Sequence, residues 1–161
     1  MINKITPEII YKSDAWQKYD DIEQVVKDSC STVISHFDIK NSEVSVVLAD
    51  DKFVKELNKK YRYKDKPTNV LSFPAMDEYN MENIEQLGDI IIAFETTAQE
   101  AKNQNKKFIN HFTHLTVHGL LHLLGYDHME KKQAEEMEEL EKDILLEMGI
   151  DDPYEGADLI G

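Results

Sequence analysis

The stretch His111-Phe112-Thr113-His114-Leu115-Thr116-Val117-His118-Gly119-Leu120-Leu121-His122-Leu123-Leu124-Gly125-Tyr126-Asp127-His128 holds five of the six histidines in the chain. Its apolar spacing predicts a helix over 107–124 that stops at Gly125. His118 and His122 are four apart, which puts their rings on one helix face with Cβ atoms about 5–6 Å apart. Two imidazoles at that separation can converge on one cation, and zinc takes such nitrogens at about 2.0–2.1 Å. Gly125 lets the chain turn sharply as it leaves the helix, so His128 can return as a third ligand. One Zn2+ per chain on His118, His122 and His128 keeps a fourth position open, which marks a catalytic rather than a structural site. Such a metal lowers the pKa of water towards ~7 and so supplies hydroxide at neutral pH. Single histidines on a helix face usually pair with backbone or core groups, but a His-His-Gly-His series at this spacing points to a metal.

His114 lies four before His118 on the same face. It is either an alternative ligand or a group that orients one of the others from behind, and the second role is preferred. Asp127 could hold a ligand's other ring nitrogen or be an ordinary turn carboxylate, while His36 and His111 read as ordinary. The spacing also reproduces a peptidase pattern, H-E-x-x-H-x-x-G-x-x-H, at every ligand and at the glycine. It departs where a peptidase carries its glutamate base, because that position is Gly119. Peptide hydrolysis is therefore disfavoured. Glycine inside a helix costs about 1 kcal/mol relative to alanine, so close packing of another element at Gly119 is the competing explanation.

Outward from this helix, Leu87 to Phe94 reads as a strand, with Ile90-Ile91-Ile92 buried on both faces. Val44 to Leu48 and Thr68 to Phe73 are the other strands, the last stopped by Pro74. Further helices are expected over Asp14–Phe37, capped by Ser13 or Asp14, and over Asp50–Lys60, Thr96–Gln104 and Glu130–Met148. Residues 75–86 have no period and read as a loop. Strands come early and helices dominate later, which favours an α+β fold: a small mixed sheet packed on several helices, one a zincin-like metal-bearing helix. Residues 1–161 are expected to form one domain, with a loosely held tail from 151 to 161.

The chain has 161 residues, 41% of them hydrophobic, enough to bury a core. No basic n-region precedes an apolar stretch at the N-terminus, and no apolar run approaches the ~20 residues of a membrane span. Cys30 is the only cysteine, which excludes an intrachain disulfide and a multi-thiolate zinc site. Together these point to the cytoplasm and to no membrane partner. The net charge of −14 argues at first against nucleic acid. The charge is uneven, however. Residues 52–66 carry seven basic side chains against two acidic ones, whereas residues 130–158 carry twelve acids against three lysines. A basic patch on an acidic body can still steer a polyanion, although a solvated helix face is the plainer reading.

Arg62 is the chain's single arginine beside seventeen lysines. A planar guanidinium binds phosphate in a bidentate way that lysine cannot reproduce. Tyr61 and Tyr63 flank it and could stack on bases, or could cover the edge of the core. A neutral-to-basic groove is expected between residues 59–64 and the histidines.

At this point the chain resembles a known family. His118-Gly119-Leu120-Leu121-His122-Leu123-Leu124-Gly125-Tyr126-Asp127-His128 is similar to the signature of the YbeY endoribonucleases, bacterial rRNA maturation factors. The resemblance extends to Leu57-Asn58 followed by Tyr61-Arg62, to Lys66-Pro67-Thr68-Asn69-Val70-Leu71-Ser72-Phe73-Pro74, to Leu87-Gly88-Asp89-Ile90 and to Asp152-Pro153-Tyr154. It spans roughly residues 44–154, and the first forty residues carry no comparable motif. The family position at Asn69 is often Asp. The resemblance implies a metal-dependent endoribonuclease specific for single-stranded RNA. It implies action in small-subunit rRNA 3′-end maturation and ribosome quality control, with the small subunit and assembly factors as partners and no DNA. It further implies zinc on His118, His122 and His128, and Arg62 as the arginine needed for activity. Two rivals stand beside it: a zinc metallopeptidase, and a non-enzymatic ribosome-assembly module stabilised by zinc.

Overall fold

The computed structural model describes residues 3–75, 85–126 and 131–153. In chain order these form β1 (Ile5–Tyr11), a 3-10 turn (Asp14–Lys18), α1 (Ile22–Ile34), β2 (Ser42–Ala49), α2 (Asp51–Arg62) and β3 (Val70–Pro74). There follow β4 (Glu85–Ala93), α3 (Phe94–Asn103), α4 (Phe108–Leu123) and α5 (Lys131–Glu147). The fold is α+β. Among the described residues the strands make one mixed sheet in the order β1-β2-β4-β3. The first three are parallel, and β3 lies antiparallel on the edge beside β4.

The sheet has two unequal faces because β4 points successive isoleucines to opposite sides. Ile90 and Ile92 join Val46 and Leu48 of β2 in the main core, under α1, α4 and α5. Ile91 and Ala93 join Val54 and Leu71 in a smaller cluster, under α2 alone. That is why the triple-isoleucine run reads as continuous rather than alternating. Asp50 caps α2 by accepting from the Phe53 N–H at 2.8 Å, so the helix expected from Asp50 itself begins one residue later.

Two features depart from the sequence reading. The first is β1, which was not expected as a strand, because Pro7 interrupts its apolar residues. Pro7 is tolerated because β1 is an edge strand, where a missing N–H removes no essential ladder bond. The second is the expected helix over Asp14–Phe37, which is broken. Ser13 caps only the 3-10 turn, accepting from the Ala15 N–H at 3.2 Å, and α1 starts afresh at Ile22. The reason is Trp16. Its ring is fully buried against Phe94, Phe108 and Phe112, and its indole N–H donates to the Ala49 carbonyl at 2.9 Å. A continuous helix gives way to that anchor. At the other end of the chain Pro153 is buried and accepts a 2.7 Å hydrogen bond from Lys106 Nζ. Residues 154–161 of the expected loose tail lie outside the described residues.

Candidate metal centre

Helix α4 is the central element of the molecule. Every residue from His111 to Leu121 is buried. Its close approach to the sheet is set at Gly119: a Cβ there would lie 2.9 Å from Ile90 Cγ2 and 3.2 Å from Ile90 Cδ1. The glycine thus answers a packing demand. The position that carries the base in the peptidase pattern faces the sheet here and has no room for a glutamate. Gly119→Ala gains about 1 kcal/mol of helix propensity but suffers overpacking of about 1–3 kcal/mol, so a net loss in chemical denaturation is expected. In an Ile90→Ala background the same substitution is expected to stabilise, because the obstructing methyls are gone.

At its C-terminus α4 ends in a turn of defined bonding. The Gly125 N–H donates to His122 O at 3.1 Å and the Tyr126 N–H to Leu121 O at 3.0 Å, the paired bonds of a left-handed helix stop. Gly125 sits at φ 105, where a side chain would be strained. This turn aims the Tyr126 carbonyl back at the helix, where it accepts from His122 Nδ1 at 2.8 Å. A carbonyl can only accept, so the proton of a neutral His122 is on Nδ1 and the lone pair is on Nε2.

His118 is held in the same sense by a different group. Its Nδ1 lies 2.6 Å from Oε1 of Glu141, and the other carboxylate oxygen, Oε2, lies 2.9 Å from His114 Nε2. Glu141 comes from α5 and is completely buried. Burial by itself pushes its carboxyl pKa up, but hydrogen bonds from His114 and His118 and their charge outweigh burial and bring it down to about 2. Burial lowers the pKa of His114 against the pull of Glu141. The cluster therefore contains an ionised carboxylate that accepts two imidazole N–H groups.

With both Nδ1 atoms acting as donors, the Nε2 atoms of His118 and His122 face each other 3.0 Å apart, their rings nearly perpendicular at 82°. Two lone pairs at that distance repel unless a cation or proton lies between them. Two nitrogens around one tetrahedral zinc are about 3.3 Å apart, close to the observed value. The donor set fits a metal. His114, His118 and Glu141 also offer ligand atoms within 4.8 Å of one another, so a His-His-Glu set that could hold a metal is present among the described residues. Its 2.6 and 2.9 Å contacts, however, are hydrogen-bond lengths, shorter than a ligand–ligand edge.

Of the residues singled out from sequence, His118 and His122 are brought together, and His114 stands behind His118 through Glu141. His128 and Asp127 lie outside the described residues. His111 is buried and bonded to Glu100 at 2.9 Å, and His36 pairs with Glu147. Asn69 donates to both oxygens of that same Glu100, at 3.1 and 3.3 Å, a contact a carboxylate could make only if protonated. Glu141 is the member of this cluster that the sequence did not single out. One signal was available: it stands four after Met137 and three before Ile144, on the buried stripe of an otherwise acidic helix.

Arg62 is exposed in the last turn of α2. Helices α2 and α4 pack on opposite faces of the sheet, so the expected groove has to pass round the edge strand β3. Both helices nonetheless run towards the same end of it. Tyr61 meets Phe73 edge-on at 5.6 Å, and Gly119 touches Ile90, which pairs with Ser72. Tyr61 is 56% and Tyr63 92% exposed, so both rings are open to a partner.

The profile of the endoribonuclease YbeY family matches residues 9–149. The chain belongs to the endoribonuclease YbeY family. An endoribonuclease YbeY from Bradyrhizobium sp. is 44% identical over 155 residues, covering 92% of each chain. One from Parvibaculum lavamentivorans is 54% identical over 127 residues, covering 74% of this chain and 68% of that one. The solution structure of TM1509 from Thermotoga maritima superposes with a TM-score of 0.58 at 26% identity, covering 89% of this chain and 92% of that chain. The YbeY match reaches back through all of α1 to the last three residues of β1, beyond the motifs from residue 44 onward on which the resemblance rested. No helix among the described residues is long and apolar enough to cross a membrane.

Proposed function

We propose that this chain is a zinc-dependent endoribonuclease specific for single-stranded RNA, with one Zn2+ held by His118, His122 and His128 and with Arg62 as a catalytic residue. Its role is maturation of the small-subunit rRNA 3′ end and ribosome quality control in the cytoplasm, with the small subunit and its assembly factors as partners. The observation that carries the reading is the 3.0 Å approach of the two Nε2 atoms, each ring oriented by an acceptor on Nδ1. Family membership supports RNA as the substrate. When bound, zinc polarises a phosphate oxygen and lowers the pKa of water.

The chain's own residues supply binding and charge. Lys59, Lys60, Arg62 and Lys64 cluster at the end of α2, on a body that is acidic elsewhere. A strand crossing the β3 edge from that cluster meets Tyr63, and Tyr61 beside Phe73, as stacking surfaces. Arg62 then grips a phosphate with two parallel N–H bonds and stabilises the charge that grows in the transition state.

The test is cleavage of single-stranded RNA by protein of verified metal content, comparing the parent with Arg62→Ala and His128→Ala. Loss of turnover in both supports the reading. Absence of cleavage by the metal-loaded parent, together with a His122→Ala strain indistinguishable from the parent strain, refutes it. Arg62→Lys is expected to lower turnover by about 10²-fold or more while leaving the melting temperature unchanged, since the side chain is exposed. An equal loss of turnover and stability would assign Arg62 to the fold.

A further inference from the structure

We infer that Glu141 and His114 are a buried positioning pair, which locks the His118 ring with its Nε2 turned towards the metal. The inference rests on the reading that His118 and His122 are metal ligands. Glu141 reaches across from α5, and each of its oxygens is engaged: Oε1 with His118 Nδ1 at 2.6 Å, Oε2 with His114 Nε2 at 2.9 Å. A carboxylate can only accept, so the His118 proton is drawn to Nδ1 and its lone pair to Nε2, the atom that faces His122. His114 closes the arrangement from the other side. By donating to Oε2 it prevents the carboxylate from rotating away from His118 or turning into a ligand itself.

Simple helix packing does not account for the pair. Glu141 is completely buried among Met137, Ile144 and Leu145, each fully apolar and each suited to holding α5 on α4. A buried carboxylate is a poor adhesive, because its desolvation offsets much of what its hydrogen bonds return. What the carboxylate adds, and leucine would not, is a fixed ring orientation and a more basic Nε2. His122 obtains the same orientation without a charge, from the Tyr126 carbonyl. The two ligands are therefore set by two unrelated devices, and only one of them is a titratable side chain.

The experiment uses the full chain with two readouts. Imidazole nitrogen NMR of the metal-free parent reports the His118 tautomer, and chelator competition reports the affinity for Zn2+. The Nδ1–H tautomer is expected in the parent. Glu141→Gln is expected to weaken Zn2+ binding about 10- to 100-fold and to mix the tautomers, because an amide can donate as well as accept. His114→Leu is expected to weaken binding, and His114→Gln, whose amide still donates to Oε2, to restore it. An Nε2–H tautomer in the parent overturns the proposal, as does parental affinity in a folded Glu141→Gln. Should that variant fail to fold, the parent tautomer decides alone. Failure of the underlying metal reading looks different: the parent itself then takes up no stoichiometric Zn2+.

Discussion

Gly88→Ala is expected to cost about 4 kcal/mol or more, a large share of the roughly 5–15 kcal/mol that holds a domain folded. Two independent effects act at this position. Its φ of 131 falls where essentially only glycine is found, a strain of about 1–3 kcal/mol for a residue with a Cβ. The Cβ would also lie 2.1 Å from the Phe73 carbonyl oxygen, 2.8 Å from Ala75 N and 2.9 Å from Pro74 Cα. All three are backbone atoms of the neighbouring strand and its exit, so no rotamer change relieves them. Gly88 sits at a bulge, where Glu43 of β2 pairs with Gln86 and Val44 with Gly88, which leaves Leu87 over. That extra residue is itself buried, and β4 pairs antiparallel with β3 from Gly88, opposite Pro74. Pushing β3 off by an ångström would break the edge that separates Arg62 from the histidines. Urea denaturation of Gly88→Ala is the measurement, and a loss below about 1 kcal/mol would mean that the bulge relaxes freely.

The elements that could be read from sequence are those whose local pattern and tertiary role agree. The histidine helix is one: spacing of four, an apolar face and a glycine stop all specify the same object. β4 is another, since three consecutive isoleucines fit a strand covered on both faces. β1 could not be read, because Pro7 contradicts a strand locally and only its edge position permits one. The break before α1 was hidden for a similar reason. Asp14 to Phe37 has helical spacing throughout, and the aromatic cluster around Trp16 that interrupts it is assembled from Phe94, Phe108 and Phe112, far along the chain.

Within the candidate site, the two histidines with regular spacing were legible and the group behind them was not. Glu141 is one acid among twelve in residues 130–158, and composition marks all twelve as solvent-facing. Its burial depends on α5 docking against α4, which no local pattern encodes. Arg62 stood out as a lone arginine, but its relation to the histidines depends on sheet order. Only the order β1-β2-β4-β3 puts the short strand β3 at an edge that both helices can flank.

His122→Ala is expected to lower Zn2+ affinity by about a hundred- to a thousand-fold while costing the metal-free fold only about 1 kcal/mol. Structural zinc sites with four protein ligands bind with apparent free energies of about 10–16 kcal/mol, so each ligand carries roughly 2.5–4 kcal/mol. The side chain's contribution to the apo fold is far smaller. His122 is half-buried at the end of α4, and its bond to the Tyr126 carbonyl is worth about 1 kcal/mol. The turn that follows is held by backbone bonds, which the substitution does not touch. Titration of Zn2+ against a chelator, paired with thermal melts of the metal-free forms, separates the two quantities. The variant also decides between two possible locations for the ion. A metal seated among His114, His118 and Glu141 makes no use of His122 and would survive the substitution at parental affinity. A metal drawn by the facing Nε2 atoms loses half of the pair that attracts it. Parental binding in His122→Ala would therefore move the centre one helical turn along α4, onto the buried His114, His118 and Glu141.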